Sequence, residues 1–316
     1  MDGVLNIDKP EGWTSHDVVA RVRRVLKEKR VGHTGTLDPF ATGVLVVMLG
    51  RATRLAQFLS GDVKEYVATV RFGYATETGD ATGARLAKDD ESEAVGMRVR
   101  SWSEIEIEAA LATLRGEIEQ VPPMYSAKKI AGRKLYELAR RGETVEREAR
   151  RVIVYEFEAV RQTDGKLLRW NEDGTCDMVV RVRCSAGTYV RVLAESLGLQ
   201  LGVGAHLTVL RRTRAGQFRI EDGVTMDELK TKADEGAAVN LLAPPDAALS
   251  GLPFVHLTAE EARRVSHGVP LSLKPEKAAN YCDGERVRMR DESGNLLAVG
   301  AYDSRLETVR PLVVLA

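Results

Sequence analysis

The clearest pattern of hydrophobic and polar positions lies in residues 64–74, which read KEYVATVRFGY. Apolar and polar side chains alternate through this stretch, and the alternation places Tyr66, Ala68, Val70 and Phe72 on one face. A period of two is typical of a β-strand with one side against a core. We therefore predict that this segment is a strand whose apolar face is buried.

Shorter apolar runs and capping signals indicate the other main elements. Strands are predicted at 4–7, 44–49, 152–160 and 178–184, and helices at 15–27, 52–59, 104–114 and 189–199. Thr14 or Ser15 can cap the first helix, and Asp17 lies in its first turn, where a carboxylate interacts favourably with free backbone N–H groups. Ser103 and Glu106 form a capping-box pattern that begins the third helix.

Two segments lack a regular pattern. Residues 75–100 are rich in Gly, Thr and Asp and then in acids, so we predict a loop. Residues 119–150 form an insertion that opens with Val121-Pro122-Pro123 and contains a short basic helix at about 134–140, between two glycines. This composition is typical of a mobile flap.

Strands and helices mix without the regular alternation of a parallel α/β sheet. We therefore predict an α+β fold, with a mixed, largely antiparallel central sheet flanked by helices, over residues 1–245. A proline-containing stretch, 244–253, indicates a linker. Residues 251–316 contain one short helix, at 259–265, and short strands separated by Gly, Asp and Ser turns, which predicts a small β-rich domain.

Charge is balanced overall, with 46 Lys and Arg against 46 Asp and Glu, so the whole chain offers no basic field for a nucleic acid. The local distribution differs. Residues 21–30 hold six cations and one acid, residues 128–151 form a second basic run, and acids concentrate between 89 and 108. One positive face in a neutral protein is a reasonable interpretation, although a solvated helix face is the ordinary explanation of one such run.

Three cysteines, Cys176, Cys184 and Cys282, are far apart and form no CxxC pair, and the five histidines are equally scattered. Neither a disulfide framework nor a metal site is predicted, which favours a reducing environment. The N-terminus lacks the basic and apolar regions of a signal peptide, and no apolar run is long enough to span a bilayer. We expect a cytoplasmic protein that binds no metal.

Residues 31–45, VGHTGTLDPFATGVL, set one carboxylate, Asp38, in a loop rich in Gly, Thr and Pro ahead of an apolar strand. Pro39 favours an extended conformation at Asp38, and the glycines allow sharp turns. An Asp-Pro pair by itself indicates only a turn. An active carboxylate also needs a partner that keeps it ionised, and an arginine lowers a neighbouring carboxyl pKa and orients it. Arg191, at a predicted strand-to-helix junction, is a candidate, although by itself an arginine there is more often an ordinary surface cation.

The Asp38 loop closely resembles the catalytic loop of the TruB family, the tRNA pseudouridine-55 synthases. Other motifs extend the resemblance over residues 9–213: Lys9-Pro10-x-Gly12-x-Thr14-Ser15-x-Asp17, Gly73-x-x-Thr76-x-Thr78-x-Asp80-x-x-Gly83, Val121-Pro122-Pro123-Met124-Tyr125-Ser126-Ala127-Lys128, Gly187-Thr188-Tyr189-Val190-Arg191, Gly204-Ala205-His206-Leu207 and Leu210-Arg211-Arg212-Thr213. Two departures are Val203, where the family commonly has cysteine, and a long hairpin at about 162–176.

The resemblance implies a pseudouridine synthase fold and a role for each matched residue. Asp38 would be the indispensable catalytic group, Arg191 its ion-pair partner, and Tyr66 the residue that stacks on the target uracil and is a proposed proton acceptor. The same resemblance implies a set of substrate-binding residues: His33, Tyr189, Leu210, Lys9 and Lys128.

The reaction that the resemblance implies is isomerisation of a uridine in the T-loop of tRNA, position 55, to pseudouridine on a flipped-out nucleotide. This reaction is redox-neutral and requires no cofactor. Residues 251–316 are similar to the family's PUA-type RNA-binding domain, which holds the tRNA acceptor arm, and the insertion at 119–150 to its mobile thumb. We expect a monomer with tRNA as its partner, no obligate protein partner and no membrane association.

Three other interpretations stay open at this point. A guide-RNA-dependent synthase of the dyskerin type shares the Asp loop but takes its specificity from partners. An RNA chaperone would bind and refold RNA without needing the Asp38, Tyr66 and Arg191 set. A nucleoside hydrolase or glycosidase also breaks bonds at C1′, but usually with two carboxylates. A second carboxylate is not evident beside Asp38 in the sequence.

Overall fold

The computed structural model of the chain describes residues 1–86, 92–126, 128–130, 133–139, 141–273 and 278–315. Within these residues the strands are β1 Gly3–Lys9, β2 Val31–His33, β3 Thr42–Leu49, β4 Lys64–Phe72, β5 Gly116–Gln120, β6 Lys129–Ile130, β7 Arg133–Lys134, β8 Arg150–Val160, β9 Leu168–Trp170, β10 Cys176–Cys184, β11 Ala205–Ala215, β12 Phe218–Arg219, β13 Phe254–His256, β14 Leu271–Ser272, β15 Arg286–Arg290, β16 Leu296–Asp303 and β17 Thr308–Val314.

The α-helices of the described residues are α1 Ser15–Leu26, α2 Ala56–Leu59, α3 Ser92–Arg100, α4 Glu104–Thr113, α5 Leu135–Ala139, α6 Val190–Gln200, α7 Met226–Asp234 and α8 Ala259–Ser266. Short 3₁₀ turns lie at Gly50–Leu55, Ile220–Asp222, Ala238–Leu241 and Ala247–Leu249. No helix in the described part of the chain is both long and apolar enough to cross a membrane.

The larger sheet runs in the order β1-β3-β11-β4-β10-β8-β5. Its strands pair antiparallel except for β3 and β11, which pair parallel at Thr42 and Gly43. Strand β4 lies in the middle, and its four alternating apolar residues, Tyr66 to Phe72, are buried against α4 and α6. The predicted α+β class, with a mixed and largely antiparallel sheet, is therefore confirmed.

Strands β1 and β3 lie at one end of this sheet, and they bury side chains on both of its faces. One face packs on α1 and α7 through Val18, Val22 and Leu229. Helix α1 begins as predicted, because Thr14 accepts a hydrogen bond from the backbone N–H of Asp17, whose side chain bonds back to the Thr14 N–H. The capping box predicted at Ser103 also forms, at the start of α4.

Three local predictions were wrong or incomplete. The loop predicted over 75–100 contains helix α3, whose Val99 is buried in the main core. The helix predicted at 52–59 divides into a 3₁₀ turn, Gly50–Leu55, followed by the short α2. Helix α7 was not predicted, although a Thr225 capping box marks its start. For α3 and α7, burial of a few side chains, such as Val99 and Leu229, stabilises helices that propensity alone does not specify.

The short helix predicted in the insertion is α5, which ends at Ala139. Gly132 and Arg140, placed near its two ends by the sequence, lie outside the described residues. The mobility predicted for the insertion stays a prediction.

A second sheet, in the order β13-β15-β16-β17-β14, forms the C-terminal β-rich part of the described chain. The stretch predicted as a linker is packed rather than free, because Asp246 forms ion pairs with Arg288 at 3.0 Å and with Arg290. The two parts also touch directly, since Arg51 and Arg54 donate hydrogen bonds to backbone carbonyls of the last strand region. The exact boundary between 1–245 and 251–316 stays a prediction.

Gly43 generates a testable prediction, because it has φ +100° where β3 meets β11, and a Cβ there would lie 2.2 Å from the Arg212 carbonyl oxygen. Gly12 is a matched control, with φ +79° and no atom within 4 Å of an added Cβ. We expect Gly12→Ala to cost about 1–2 kcal/mol of backbone strain. Gly43→Ala should cost about 3 kcal/mol or more, because overpacking adds to that strain. Urea unfolding measures both, and equal losses would contradict the close approach.

Candidate active site

The loop that carries Asp38 connects β2 to β3 and is held by the start of α1. The Ser15 hydroxyl accepts a hydrogen bond from the Leu37 N–H at 2.9 Å and contacts the Leu37 carbonyl at 3.2 Å. The Gly12 N–H donates to the Pro39 carbonyl at 2.9 Å. Residues on both sides of Asp38 are thus fixed to the same turn, which leaves the carboxylate aimed in one direction.

Lys9 lies beneath this loop and is fully buried. Its ammonium donates to the carbonyls of Pro10 at 2.8 Å, Trp13 at 2.6 Å and Pro39 at 3.2 Å. Burial lowers the pKa of Lys9 to about 8. The sequence suggested that Lys9 binds substrate, but this placement gives its three N–H groups to the protein backbone, so a role in holding the Asp38 loop fits the geometry better.

Arg191, in the first turn of α6, faces Asp38. Its Nε lies 2.9 Å from Asp38 Oδ2, and its side chain is 3% exposed. The two remaining nitrogens donate to the carbonyls of Thr78 and Tyr125, at 2.5 and 2.7 Å. Asp80 Oδ2 lies 3.9 Å from Nη1. The pair proposed from sequence is therefore brought together, with every nitrogen of the guanidinium beside an oxygen.

The electrostatics of Asp38 differ from the expectation of a carboxyl kept ionised by arginine alone. Burial raises the pKa of Asp38 above its ordinary value, and the nearby Asp80 adds to this effect. Arg191 acts in the opposite direction, as does Lys9. Burial is the larger effect, so the ion pair limits a rise in the pKa rather than producing a fall.

Asp38 and Arg191 open into a cleft of about 290 Å³. Six of the eight residues proposed from the sequence line it, namely Asp38, Tyr66, Lys128, Tyr189, Arg191 and Leu210. Lys9 and His33 do not. The cleft lies near the lower end of the range for small-ligand pockets, and its lining combines one carboxylate and several cations with two tyrosines and several aliphatic side chains.

Tyr66 and Leu210 reach the cleft from adjacent central strands. Tyr66 lies on β4, opposite Arg212 of β11 in the strand register, and Leu210 lies two residues before that arginine. Burial raises the pKa of Tyr66, so its phenol is neutral at physiological pH. A ring and an apolar side chain held on rigid strands are suited to contact the faces of a planar base.

Tyr189 occupies the N-cap position of α6. The side chain of Gln120, the last residue of β5, holds its backbone. The Tyr189 N–H donates to Gln120 Oε1 at 3.0 Å, and Gln120 Nε2 donates to the Tyr189 carbonyl at 3.3 Å. The amide thus pairs with Tyr189 as a neighbouring strand would. Gln120 was not identified from the sequence, and it fixes the turn that carries both Tyr189 and Arg191.

His33 lies on β2, behind the loop. Its Nδ1 is buried and has no hydrogen-bond partner among the residues that the structure describes, and its ring meets the His16 ring edge-on at 5.7 Å between centroids. Burial lowers the pKa of His33 to about 4, so the ring is neutral. His33 lies behind the Asp38 loop and outside the cleft lining. The substrate-binding role that the resemblance implies for it stays a prediction.

Two buried cations in the cleft were also missed. Arg212 is 3% exposed and donates to the carbonyls of Val44 at 2.6 Å and Gly35 at 3.2 Å. Lys64 is 6% exposed, and burial lowers its pKa to about 8. Arg212 stood in a quoted motif, but an arginine in a strand usually indicates a surface position, so only the structure reveals its burial.

The structure also places a second carboxylate near the ion pair, which the sequence did not make evident. Asp80 is buried, and its Oδ1 accepts hydrogen bonds from the Thr78 hydroxyl at 2.8 Å and the Thr82 N–H at 2.9 Å. It does not line the cleft. Within the described residues, no group of three or more His, Cys, Asp or Glu side chains is arranged to hold a metal ion.

Comparison with known proteins identifies the family of the chain. Residues 23–190 match the TruB family pseudouridylate synthase N-terminal domain, and residues 191–250 match the tRNA pseudouridylate synthase B C-terminal domain. A curated relative from Geobacillus kaustophilus, named tRNA pseudouridine synthase B, is 47% identical over 86% of this chain and 92% of its own length. One from Thermobifida fusca with the same name is 43% identical over 100% and 99%.

Among solved structures, a chain from a Cbf5–Nop10–Gar1 complex superimposes with a TM-score of 0.70 and 29% identity, over 99% of this chain and 85% of that one. A chain from an H/ACA ribonucleoprotein bound to a substrate RNA containing 2′-deoxyuridine gives 0.70 and 27%, over the same shares. These likenesses confirm the pseudouridine synthase fold predicted from the motifs. From the family match, the identity of its relatives and the shared fold together, the chain belongs to the TruB family of pseudouridylate synthases.

Proposed function

We propose that this enzyme isomerises the uridine at position 55 in the T-loop of tRNA to pseudouridine, with the Asp38 carboxylate acting on a nucleotide flipped into the cleft. The observation that carries the proposal is the Asp38–Arg191 ion pair at 2.9 Å, which opens into a cleft lined by Tyr66 and Leu210. Relatives that match the whole chain are named tRNA pseudouridine synthase B, which supports tRNA as the substrate.

The chemistry breaks the N1–C1′ bond, turns the uracil within the pocket and forms a C5–C1′ bond. Atoms and electrons balance within the nucleoside, so the residues need only orient the ring, supply one anion and move a proton. Asp38 supplies the anion, whether it attacks C1′, adds to C6 of the base or removes the C2′ proton. Arg191 fixes its orientation, and the neutral Tyr66 ring contacts the base.

A uridine inside a folded RNA loop reaches Asp38 only when it is extruded from the stack. Extrusion costs about a few kcal/mol of lost stacking and pairing. Contacts between cations and RNA phosphates offset this cost. Lys128 lines the cleft. Helix α1 offers exposed cations, and the β-rich C-terminal part, of the PUA type, would hold the acceptor arm. We propose that one chain makes all these contacts as a monomer, without a protein partner.

Two rival interpretations, the guide-dependent synthase and the glycosidase, fit less well. Cbf5 is named in complexes with Nop10 and Gar1, but it is 29% identical to this chain, whereas the tRNA pseudouridine synthase B relatives reach 47%. A glycosidase places two carboxylates across an open site. Here Asp80 lies against the same guanidinium as Asp38 and is enclosed by Thr78 and Thr82, so it has no access to a sugar from the opposite side.

Replacing Asp38 tests the proposal directly. Asp38→Asn keeps the size of the side chain and removes its charge, so pseudouridine formation in an unmodified tRNA transcript should fall by about 10²–10⁴-fold or more. Binding of the tRNA should persist. Asp164→Asn, in an exposed hairpin, is the control and should keep wild-type activity. Substantial turnover by Asp38→Asn would remove Asp38 from the reaction, and an inactive wild type would refute the proposed function.

The pH dependence of kcat/KM tests the balance between burial and the ion pair. Because the reaction needs the carboxylate, the rate should fall as pH falls through the raised pKa of Asp38. Arg191→Lys weakens the pair and lets burial raise that pKa further, so the acidic limb should move to higher pH. The rate at neutral pH should drop about 10- to 100-fold.

Arg161→Lys is the control for this experiment, because Arg161 forms an exposed ion pair with Glu104 at 2.7 Å, away from the cleft. Arg161→Lys should leave the acidic limb of the kcat/KM profile at its wild-type pH. An acidic limb of Arg191→Lys at an unchanged or lower pH would contradict the assignment of this limb to Asp38.

Helix α1 generates a prediction about RNA binding. Arg24 in the last turn of α1 and Lys27, the residue that follows the helix, are exposed, and in the described part of the chain neither forms an ion pair. Replacing both with Gln should weaken tRNA binding and reduce the slope of log K against log salt by about 1.4–1.8, because each phosphate contact contributes about 0.7–0.9.

The matched control is Lys230→Gln with Lys232→Gln on the neighbouring helix α7, where Asp234 and Glu235 already pair with these lysines. This pair of substitutions should leave the salt slope unchanged. Equal slopes for both double variants would show that α1 is a solvated face.

A further inference from the structure

Ser126 presents an unusual group to the cleft. Its side chain is 4% exposed and lines the cleft together with Asp38, Tyr66 and Arg191. Its hydroxyl oxygen is buried and has no hydrogen-bond partner among the described residues. Buried polar side chains almost always have a partner, so an unpaired one needs an explanation. In an enzyme cleft, the missing partner can belong to the substrate.

The backbone around Ser126 is fixed from three directions. Its N–H donates to the Met124 carbonyl at 3.0 Å, and its carbonyl accepts from the Tyr136 N–H at 3.1 Å. The carbonyl of the preceding residue, Tyr125, accepts from Arg191 Nη2 at 2.7 Å. Ser126 is therefore one residue away from a direct bond to the guanidinium that pairs with Asp38, and the backbone that carries its hydroxyl is held beside that ion pair.

Two other hydroxyls that line the cleft, those of Ser185 and Thr188, have partners within the protein. The Ser185 hydroxyl accepts from the Ile153 N–H at 2.9 Å and lies 3.5 Å from the Thr188 hydroxyl. These two groups are used within the protein to shape the turn before α6. Ser126 has no such internal use, which distinguishes a hydroxyl that builds the site from one that is available to a ligand.

We propose that the Ser126 hydroxyl donates a hydrogen bond to one of the two carbonyl oxygens on the edge of the extruded pyrimidine base. Tyr66 and Leu210 are suited to the two faces of the ring, and Asp38 to the sugar side, so the carbonyl groups of the base remain to be paired. A hydroxyl has the O–H donor that such an oxygen needs. This specificity role rests on the proposed function and deepens it.

The test combines stability with kinetics for Ser126→Ala on a tRNA transcript. Removing an unpaired buried hydroxyl leaves no protein group without a partner, so the thermal midpoint of the free enzyme should stay the same or rise. Loss of one hydrogen bond to the base should lower kcat/KM by about 3- to 10-fold. Ser101→Ala is the control, because the exposed Ser101 hydroxyl donates to the Arg98 carbonyl at 2.7 Å, so this variant should keep its activity.

A second measurement separates a substrate contact from a packing effect. Transcripts with 2-thiouridine or 4-thiouridine at the target position weaken one acceptor of the base at a time. The wild type should lose rate on the analogue whose acceptor Ser126 contacts, and Ser126→Ala should lose less on that same analogue. Fully additive losses on both analogues, a lowered thermal midpoint, or an unchanged kcat/KM would overturn the role of Ser126. An inactive wild type would instead refute the proposed function itself.

Discussion

The structure depends on the burial of one cation, the guanidinium of Arg191. A buried charge is costly unless each of its donors meets an acceptor. Here the acceptors come from three separate loops: Asp38 after β2, Thr78 and Asp80 after β4, and Tyr125 after β5. Because the guanidinium is planar, these oxygens can satisfy it only in one arrangement. The position of Asp38 is therefore fixed by the relative placement of strands that are distant in sequence.

The loops converge on Arg191 because α6 is itself held in place on both sides. On one side, the Gln120 amide pairs with both backbone groups of Tyr189. On the other, Gly79 approaches α6 so closely that an added Cβ would lie 2.2 Å from Glu195 Oε1. A helix N-terminus that cannot shift keeps the guanidinium within reach of all its acceptors. The geometry of the Asp38–Arg191 pair is therefore a consequence of packing around the first turn of a helix.

The sequence predicted those parts of the fold and site that depend on local pattern. The alternation at Tyr66 to Phe72 and the capping boxes at Thr14 and Ser103 are local signals, and each formed as expected. Asp38 and Arg191 stood in recognisable motifs, and their ion pair formed. Helix α3 was missed because its acidic, glycine-containing segment resembles a loop until Val99 enters the core.

Other features require the tertiary structure. Whether Lys9 contacts substrate or backbone depends on the Pro39 carbonyl, 30 residues away along the chain. Arg212 lies on a central strand, where a cation normally points to solvent, and only its bonds to Val44 and Gly35 show that it is internal. Sequence motifs identify candidate residues well. They do not specify whether a long side chain is directed to solvent, to the substrate or to the protein backbone.

The same buried cations explain how a chain of zero net charge can act on RNA. Lys9, Lys64 and Arg212 are satisfied by carbonyl oxygens, which accept hydrogen bonds without cancelling charge. With pKa values of about 8, the two lysines are still largely charged at neutral pH. Buried charges act over longer distances than charges in solvent. Lys9 opposes the effect of burial on the pKa of Asp38. In the proposed function, the positive field of these cations attracts the phosphates of the nucleotide that enters the cleft.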